Sequence, residues 1–491
     1  MNYSLLSKLL GAILGFTAVA LFVSSWIGFI YKDNWMEWHA IEGLAISGVA
    51  CGGTAAILFW QGSGSKGTLY RKEGLALIGI SWLVSSFFGA LPYYLILPEC
   101  QFIDAWFEAV SGITTTGASV FTDFEEFPRS LLFWRCLSQW IGGLGVAVLF
   151  VALLGSLGAG AKILFSNESS GTAGEIAETR VQKGAFKIIQ IYVGLTVCCG
   201  LSLYFFGLDP YDAICHAFTT LSTGGFSTQS ESIEGFQNHS VEWVIIFFMI
   251  LGATSFLFLL KIFNQEWSKS KKHSEVMGFY LILIGASVSL FLFLGLQFGF
   301  SESANHFRHA VFQAVSILSG TGFSCTDFAL WDMRSGACLL LLMAVGGCTA
   351  STAGGLKVLR VMVSFKLMVH YIERAFRSQV IRNIQFNGKV IQPENRESIM
   401  TYLGLCCFIV ACGFFLLSIL EPDQSFGTLC SATFASFFNV GPGLEAVGPS
   451  QTYAFLSAPS KFLLSFLMIL GRLELLAILV LFVPSLWKQF K

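Results

Sequence analysis

Residues 108–119 read Glu-Ala-Val-Ser-Gly-Ile-Thr-Thr-Thr-Gly-Ala-Ser, and the pattern returns three times. At 216–227 it reads His-Ala-Phe-Thr-Thr-Leu-Ser-Thr-Gly-Gly-Phe-Ser. At 313–324 it reads Gln-Ala-Val-Ser-Ile-Leu-Ser-Gly-Thr-Gly-Phe-Ser. The fourth and most divergent copy, at 432–443, reads Ala-Thr-Phe-Ala-Ser-Phe-Phe-Asn-Val-Gly-Pro-Gly. All four align without a gap and place Gly117, Gly225, Gly322 and Gly441 in one column. The copies lie roughly a hundred residues apart, the signature of an internal repeat. Each begins as a short apolar stretch and ends in Thr, Ser and Gly. Such a stretch is too short to cross a bilayer and fits a re-entrant half-helix.

The surroundings of each copy are apolar. Windows long enough to span a bilayer occur at 9–31, 40–60, 74–97, 130–155, 184–207, 242–263, 276–300, 336–370, 399–420 and 459–485. The half-helix segments (103–119, 211–227, 306–324 and 427–443) fall between alternate windows. Composition agrees: of 491 residues, 54% are hydrophobic and only 12% charged, against about 25% charged in soluble domains. A soluble enzyme, a disordered chain and a nucleic-acid binder (net charge −1) are excluded. The 13 cysteines are odd in number and many sit in apolar runs, so they read as small buried residues, not as a disulfide framework. With a cytoplasmic N-terminus, most Lys and Arg fall on the cytoplasmic side, and all four half-helices open outward.

These observations predict an all-α polytopic membrane protein. Four span–pore-helix–span repeats surround one pore with pseudo-fourfold symmetry, and two extra transmembrane helices precede them. The divisions are 1–68 for the extra spans, then 69–165, 180–272, 274–390 and 398–491 for the repeats. A half-helix followed by Thr/Ser and Gly in an extended strand suits a cation filter. Backbone carbonyls and threonine hydroxyls replace the ion's hydration shell, and glycine permits the backbone angles that turn the carbonyls inward. The 336–370 window is broken by Gly346-Gly-Cys-Thr-Ala-Ser-Thr-Ala-Gly-Gly355. Such a break at membrane depth must face a cavity or other protein. Arg472 stands in the last window, where a charge is costly and points to function. The alternative is a structural pairing of Arg472 with Glu474 or with a backbone carbonyl. Arg135 reads as structural, near enough to the outer end to snorkel.

The motifs Ser-Gly-Ile-Thr-Thr-Thr-Gly (111–117), Leu-Ser-Thr-Gly-Gly-Phe-Ser (221–227), Leu-Ser-Gly-Thr-Gly-Phe-Ser (318–324) and Asn-Val-Gly-Pro-Gly-Leu (439–444) resemble the Trk/Ktr/HKT family of potassium transporters. So do Ser-Thr-Ala-Gly-Gly-Leu-Lys (351–357) and Leu-Gly-Arg-Leu-Glu (470–474). The resemblance covers nearly the whole chain, and the two extra spans look like the bacterial Trk membrane subunit. It implies potassium uptake across the bacterial inner membrane. Filter residues would be Thr115, Thr116, Gly117, Thr223, Gly224, Gly225, Gly320, Thr321, Gly322, Asn439, Val440 and Gly441. The sodium-selective plant relatives carry Ser where this chain has Gly117, which favours potassium. The resemblance also implies a gate formed by the broken span (Gly346, Gly347, Ser351, Thr352, Gly354, Gly355) with Arg472 as a cationic barrier. It implies a homodimer and a separate cytosolic nucleotide-binding regulatory subunit. The transported potassium ion is the only small partner expected, with no organic cofactor and no nucleic acid.

Rival readings are a sodium-permeable member of the same family, a secondary carrier for another solute, and a membrane enzyme. Four repeats of one orientation argue against the carrier, and the lack of a catalytic constellation argues against the enzyme. Gly62-Ser-Gly64-Ser-Lys-Gly67 matches a nucleotide-binding pattern by letter but follows a spanning helix, so it reads as a turn. The sequon at Asn167–Ser169 falls on the cytoplasmic side. Lys269, Lys271, Lys272 and the basic stretch 366–396 read as headgroup anchors or a docking face. Asp104, Asp123, Glu125 and Glu126 are expected to draw cations to the outer mouth.

Overall fold

The computed structural model describes residues 1–32, 35–65, 71–156, 175–265, 274–377, 385–386 and 389–487. The sequon, the lysines at 269–272, Lys66 and Gly67, and part of the 366–396 stretch lie outside them. Two long helices, α1 (Tyr3–Gly28) and α2 (Trp35–Gln61), pack along each other at the N-terminus. Four helical units follow. The first comprises α3 (Arg71–Ile96), the short α4 (Phe102–Ile113) and α5 (Arg129–Ser156). The second comprises α6 (Glu175–Phe205), α7 (Pro210–Leu221), α8 (His239–Ala253) and α9 (Phe256–Phe263). The third comprises α10 (Ser274–Phe298), α11 (Ser303–Ser319), α12 (Met333–Val345) and α13 (Val358–Phe376). The fourth comprises α14 (Pro393–Leu420), α15 (Phe426–Phe437), α16 (Ala458–Arg472) and α17 (Leu476–Leu479). Among the described residues the one sheet is a two-stranded hairpin, β1 (Gln385–Phe386) with β2 (Lys389–Val390).

Among the described residues, six helices are long and apolar enough to cross a membrane unbroken, and two bent pairs bring the number to eight. Their outer faces carry large apolar side chains, including Trp26, Trp60, Phe205, Leu281 and Phe408. That surface suits hydrocarbon and would be unstable in water. The windows 242–263 and 459–485, read as single spans, are in fact bent. α8 meets α9 at 99°, across Thr254 and Ser255, and the fourth unit turns by 113° between Arg472 and Leu476. Neither bend is marked by proline; the freed backbone groups of the α8–α9 bend find partners elsewhere in the protein, as described below, while in the second Leu475 N–H donates locally to Leu470 O at 3.0 Å.

Short side-chain caps fix the start of several helices. Asp209 accepts from Tyr211 N–H with Pro210 in the first turn of α7; Asn238, Asp332 and Ser425 accept at the starts of α8, α12 and α15. The start of α5 is capped from outside its own unit. The buried Glu37 carboxylate of α2 accepts from Arg129 N–H and Ser130 N–H, both at 2.9 Å. A carboxylate there satisfies two orphan donors and complements the helix dipole. This contact ties the N-terminal pair to the first unit.

Candidate cation filter and gate

The four short helices α4, α7, α11 and α15 end in one way. The amide N–H groups of Thr116, Gly224, Thr321 and Val440 each donate to the carbonyl five residues back, on Ser111, Thr219, Ser316 and Ala435, all at 2.9 Å. The residue before each donor is left-handed: Thr115 (φ 53°), Thr223 (φ 53°), Gly320 (φ 72°) and Asn439 (φ 55°). This is the Schellman ending of a helix. Three of the four left-handed positions hold a residue with a Cβ, a strained choice kept where the surroundings dictate it. The column glycines follow, all at positive φ between 76° and 95°.

Those glycines close a ring. A Cβ at Gly117 would overlap the Gly224 carbonyl oxygen, one at Gly225 the Thr321 oxygen, and one at Gly322 the Val440 oxygen. One at Gly441 would lie 2.6 Å from the Thr116 oxygen, which returns to the first strand. Each strand therefore touches the next in chain order, and the fourth touches the first. All the filter residues named from sequence except Gly117, Gly224, Gly225, Gly320, Gly322 and Gly441 carry side chains, and all of those (Thr115, Thr116, Thr223, Thr321, Asn439, Val440) are buried. Gly142, Gly252 and Gly471 of the second spans receive the terminal half-helix carbonyls of Ile113, Leu221 and Phe437.

On one side of the ring lies an open mouth of about 450 Å³, lined by all four column glycines together with Asp123, Glu231, Glu234 and Asp327. Of the acids expected to serve the mouth, only Asp123 lines it. Asp104 instead pairs with Lys461 at 2.6 Å, and Glu125 holds Ser230, whose amide donates at 2.8 Å. Burial first, then Glu231, Asp327 and Glu242, pushes the Glu234 carboxyl above its ordinary value.

Arg135 does not snorkel. It is buried, and its Nε bonds Glu108 Oε1 at 2.6 Å while Nη1 donates to the Ser227 carbonyl at 3.0 Å. Its guanidinium lies 3.6 Å from the Phe226 ring centroid. Glu108 also accepts from Ser119 Oγ and Val120 N–H. His216, in the same alignment column, bonds Ser227 Oγ at 3.0 Å, again eleven residues ahead. The column is thus no ligand ring. In the first two repeats it braces the strand just past its glycine, whereas Gln313 reaches Cys325 Sγ at 3.9 Å and Ala432 has no polar group to offer.

The loop 346–357 packs on the other side of the ring. A Cβ at Gly354 would overlap the Phe438 oxygen, and the Gly354 amide nitrogen lies 3.2 Å from where a Cβ at Gly320 would stand. Gly355 N–H donates to Phe438 O at 3.1 Å. Gly346 and Gly355 are both left-handed and so close that a Cβ on either would collide with the other's backbone. Ser351 Oγ donates to Cys348 O. The loop also fills the α8–α9 bend. Cys348 N–H donates to Ala253 O at 2.9 Å, and Phe256 N–H donates to Ala350 O at 2.9 Å. Thr352 Oγ1 reaches Leu221 O at 2.9 Å and Gly252 O at 3.0 Å. Two interrupted helices thus satisfy each other's backbone. From α10, the buried Glu275 accepts from Thr349 N–H.

Arg472 ends α16 in a buried position and donates from Nη1 to the Thr352 carbonyl at 2.8 Å. Among the described residues, its Nε and Nη2 have no hydrogen-bond partner. Glu474 is not its counter-ion, because that carboxylate pairs with Arg360 at 2.6 Å. Gly347 of the loop lies against Ala353 and Ala253. No group of three or more His, Cys, Asp or Glu able to hold a metal occurs among the described residues.

The sequence model of the TrkH cation transport proteins matches residues 44–489. This chain belongs to that family. It is 29% identical over 494 residues to the Trk system potassium uptake protein TrkH of Escherichia coli K12, with all of both chains covered. It is 32% identical over 445 residues to TrkG of the same organism, covering 89% of this chain and 91% of that one. The potassium transporter TrkH from Vibrio parahaemolyticus has the same fold, with a TM-score of 0.89 at 26% identity over 99% of this chain and 100% of that one. The family resemblance read from the four motifs is borne out. The chain is a multi-pass protein of the bacterial inner membrane and a transporter, not an enzyme.

Proposed function

We propose that this protein takes up potassium through a single pore framed by four repeats, with the column Gly117, Gly225, Gly322 and Gly441 at its filter. The repeats are 69–165, 180–272, 274–390 and 398–491, and residues 1–68 form an added helical pair. The observation that carries this reading is the closed cycle in which each column glycine abuts a carbonyl of the next strand. A ring of inward carbonyls and no carboxylate suits a dehydrated monovalent cation. The residues Thr115, Thr116, Thr223, Gly224, Gly320, Thr321, Asn439 and Val440 frame the ion path. Gly346, Gly347, Ser351, Thr352, Gly354 and Gly355 form the gate, latched by Arg472, whose charge opposes cations below the filter.

The mechanism follows from these parts. Acids at the mouth concentrate cations, the ring strips their water, and the loop blocks the exit until it moves. With Arg472 holding the Thr352 carbonyl, loop and barrier release together. The orientation has the N-terminus in the cytoplasm. The functional unit is a homodimer under a cytosolic nucleotide-binding regulatory subunit, both carried over from the family. The test is ⁸⁶Rb⁺ uptake into proteoliposomes of purified protein, with K⁺ and Na⁺ as competitors. Competition by K⁺ and not Na⁺ supports the reading; equal competition by Na⁺ makes this a sodium or non-selective pathway.

A further inference from the structure

The four strands of the ring are not braced alike. In the first, Thr116 Oγ1 bonds Thr114 Oγ1 at 2.7 Å. In the third, Thr321 Oγ1 bonds Ser319 Oγ at the same distance and in the same relative positions. In the fourth, Asn439 Nδ2 reaches across to Thr116 Oγ1 at 2.9 Å. The second strand carries Gly224 at the equivalent place and has no side chain to make such a bond. Gln139 of α5 reaches that strand instead. It is fully buried, and its Nε2 donates to Gly224 O at 2.7 Å while its Oε1 accepts from Phe226 N–H at 3.1 Å.

Those two groups flank Gly225 on one side of the segment. A carboxamide places an N–H donor beside a carbonyl acceptor at the spacing of a peptide unit, so Gln139 acts as one residue of a neighbouring strand. It fixes both peptide planes around Gly225. The space it occupies is the space a side chain at 224 would need: a Cβ there would overlap the Gln139 carboxamide. Ser119 and Ser431 also bond both a carbonyl and an amide, of Phe121 and Leu444, but among the described residues no other side chain bridges the carbonyl before and the amide after its column glycine.

We propose that Gln139 is a specificity-positioning residue of the cation filter. Through it the first repeat sets the carbonyl direction of the second strand, replacing the hydroxyl brace found in strands one and three. This rests on the filter reading above. Its prediction is an exchange of braces. In Gln139→Ala the Gly224 carbonyl and Phe226 amide are left buried without partners, and the strand can turn. The preference for K⁺ over Na⁺ in ⁸⁶Rb⁺ competition then falls about tenfold. Gly224→Thr alone meets the Gln139 carboxamide and also loses preference. The double variant Gln139→Ala with Gly224→Thr frees the space and offers a hydroxyl to Ser222, as Thr321 does to Ser319, and recovers most of the preference.

Gel filtration and thermal melting in detergent accompany each variant. Wild-type selectivity in Gln139→Ala overturns the proposal, as does a double variant no better than either single one. Should Gln139→Ala fail to fold, the double variant decides: recovered folding with recovered selectivity supports the brace, and any other result overturns it. Gly225→Ser is run beside them. If it keeps full selectivity, the filter reading itself fails. If it loses selectivity while Gln139→Ala does not, only the role of Gln139 fails.

Discussion

Arg472 and Arg135 are both buried guanidinium groups, yet they have opposite surroundings. Arg135 is held by a carboxylate, a carbonyl and two aromatic rings. Arg472 has one carbonyl and two orphaned nitrogens. An ion pair satisfied on all sides is a structural part, and removing one partner strands the other charge. Arg135→Ala should therefore lower stability by about 3–5 kcal/mol, read as a lower melting temperature of the detergent-solubilised protein. A melting temperature equal to wild type would contradict the brace. Arg472→Ala should fold normally and raise the ⁸⁶Rb⁺ uptake rate several-fold, since it removes both a barrier and a latch; unchanged or slower uptake would count against the gate. Sequence alone exposed Arg472 and read Arg135 as structural, but placed it at the outer end because its partner Glu108 lies in the preceding helix.

At the scale of elements, the gate loop and the α8–α9 bend form one unit, because each supplies the backbone partners the other lacks. Thr352 stands at their junction. Thr352→Val removes the hydroxyl bonds to Leu221 O and Gly252 O while keeping the carbonyl that Arg472 holds. Losing bonds to two buried carbonyls loosens the docked loop. Uptake should rise, and a cysteine introduced at Ala350 should react faster with a water-soluble thiol reagent; wild-type rates in both assays would argue that the two elements are not coupled. The loop was legible in sequence because Gly-Gly pairs punctuate an apolar run. The bend at Thr254–Ser255 was not, because its cause lies in a segment about a hundred residues away. The half-helices were legible for a further reason. Their shared Schellman ending demands the same small or turn-forming residues each time, so the repeat survived as letters. Gln139 left no such trace, since only one strand uses it.

For the whole molecule, the fold places an acidic mouth on one side of the ring and a closed loop on the other. Mouth charge acts through the field, so it changes rate more than selectivity. Neutralising Glu231 and Asp327 together (Glu231→Gln, Asp327→Asn) should slow uptake at low ionic strength. The deficit should vanish in 1 M salt, where the screening length is about 3 Å; a deficit that persists there would point to a direct contact instead. Glu234 adds a pH dependence. Its raised carboxyl takes up a proton above the ordinary glutamate value of about 4.3, so the mouth loses charge as external pH falls toward that value from above. Low-salt uptake should decline over that interval in wild type and stay flatter in Glu234→Gln. The acids at Glu231, Glu234 and Asp327 escaped the sequence reading because two loops far apart in the chain bring them to one mouth.

The claim on which all of this depends is that four strands from one chain coordinate one line of cations. Anomalous diffraction from crystals grown in Rb⁺ or Tl⁺ tests it most directly. The expected result is density on the axis of the ring, equidistant from the carbonyl oxygens of Thr116, Gly224, Thr321 and Val440, and its loss when Na⁺ replaces the heavier ion. A ring that stays empty in Rb⁺ or Tl⁺, with the ion bound elsewhere in the membrane-spanning region, would contradict it.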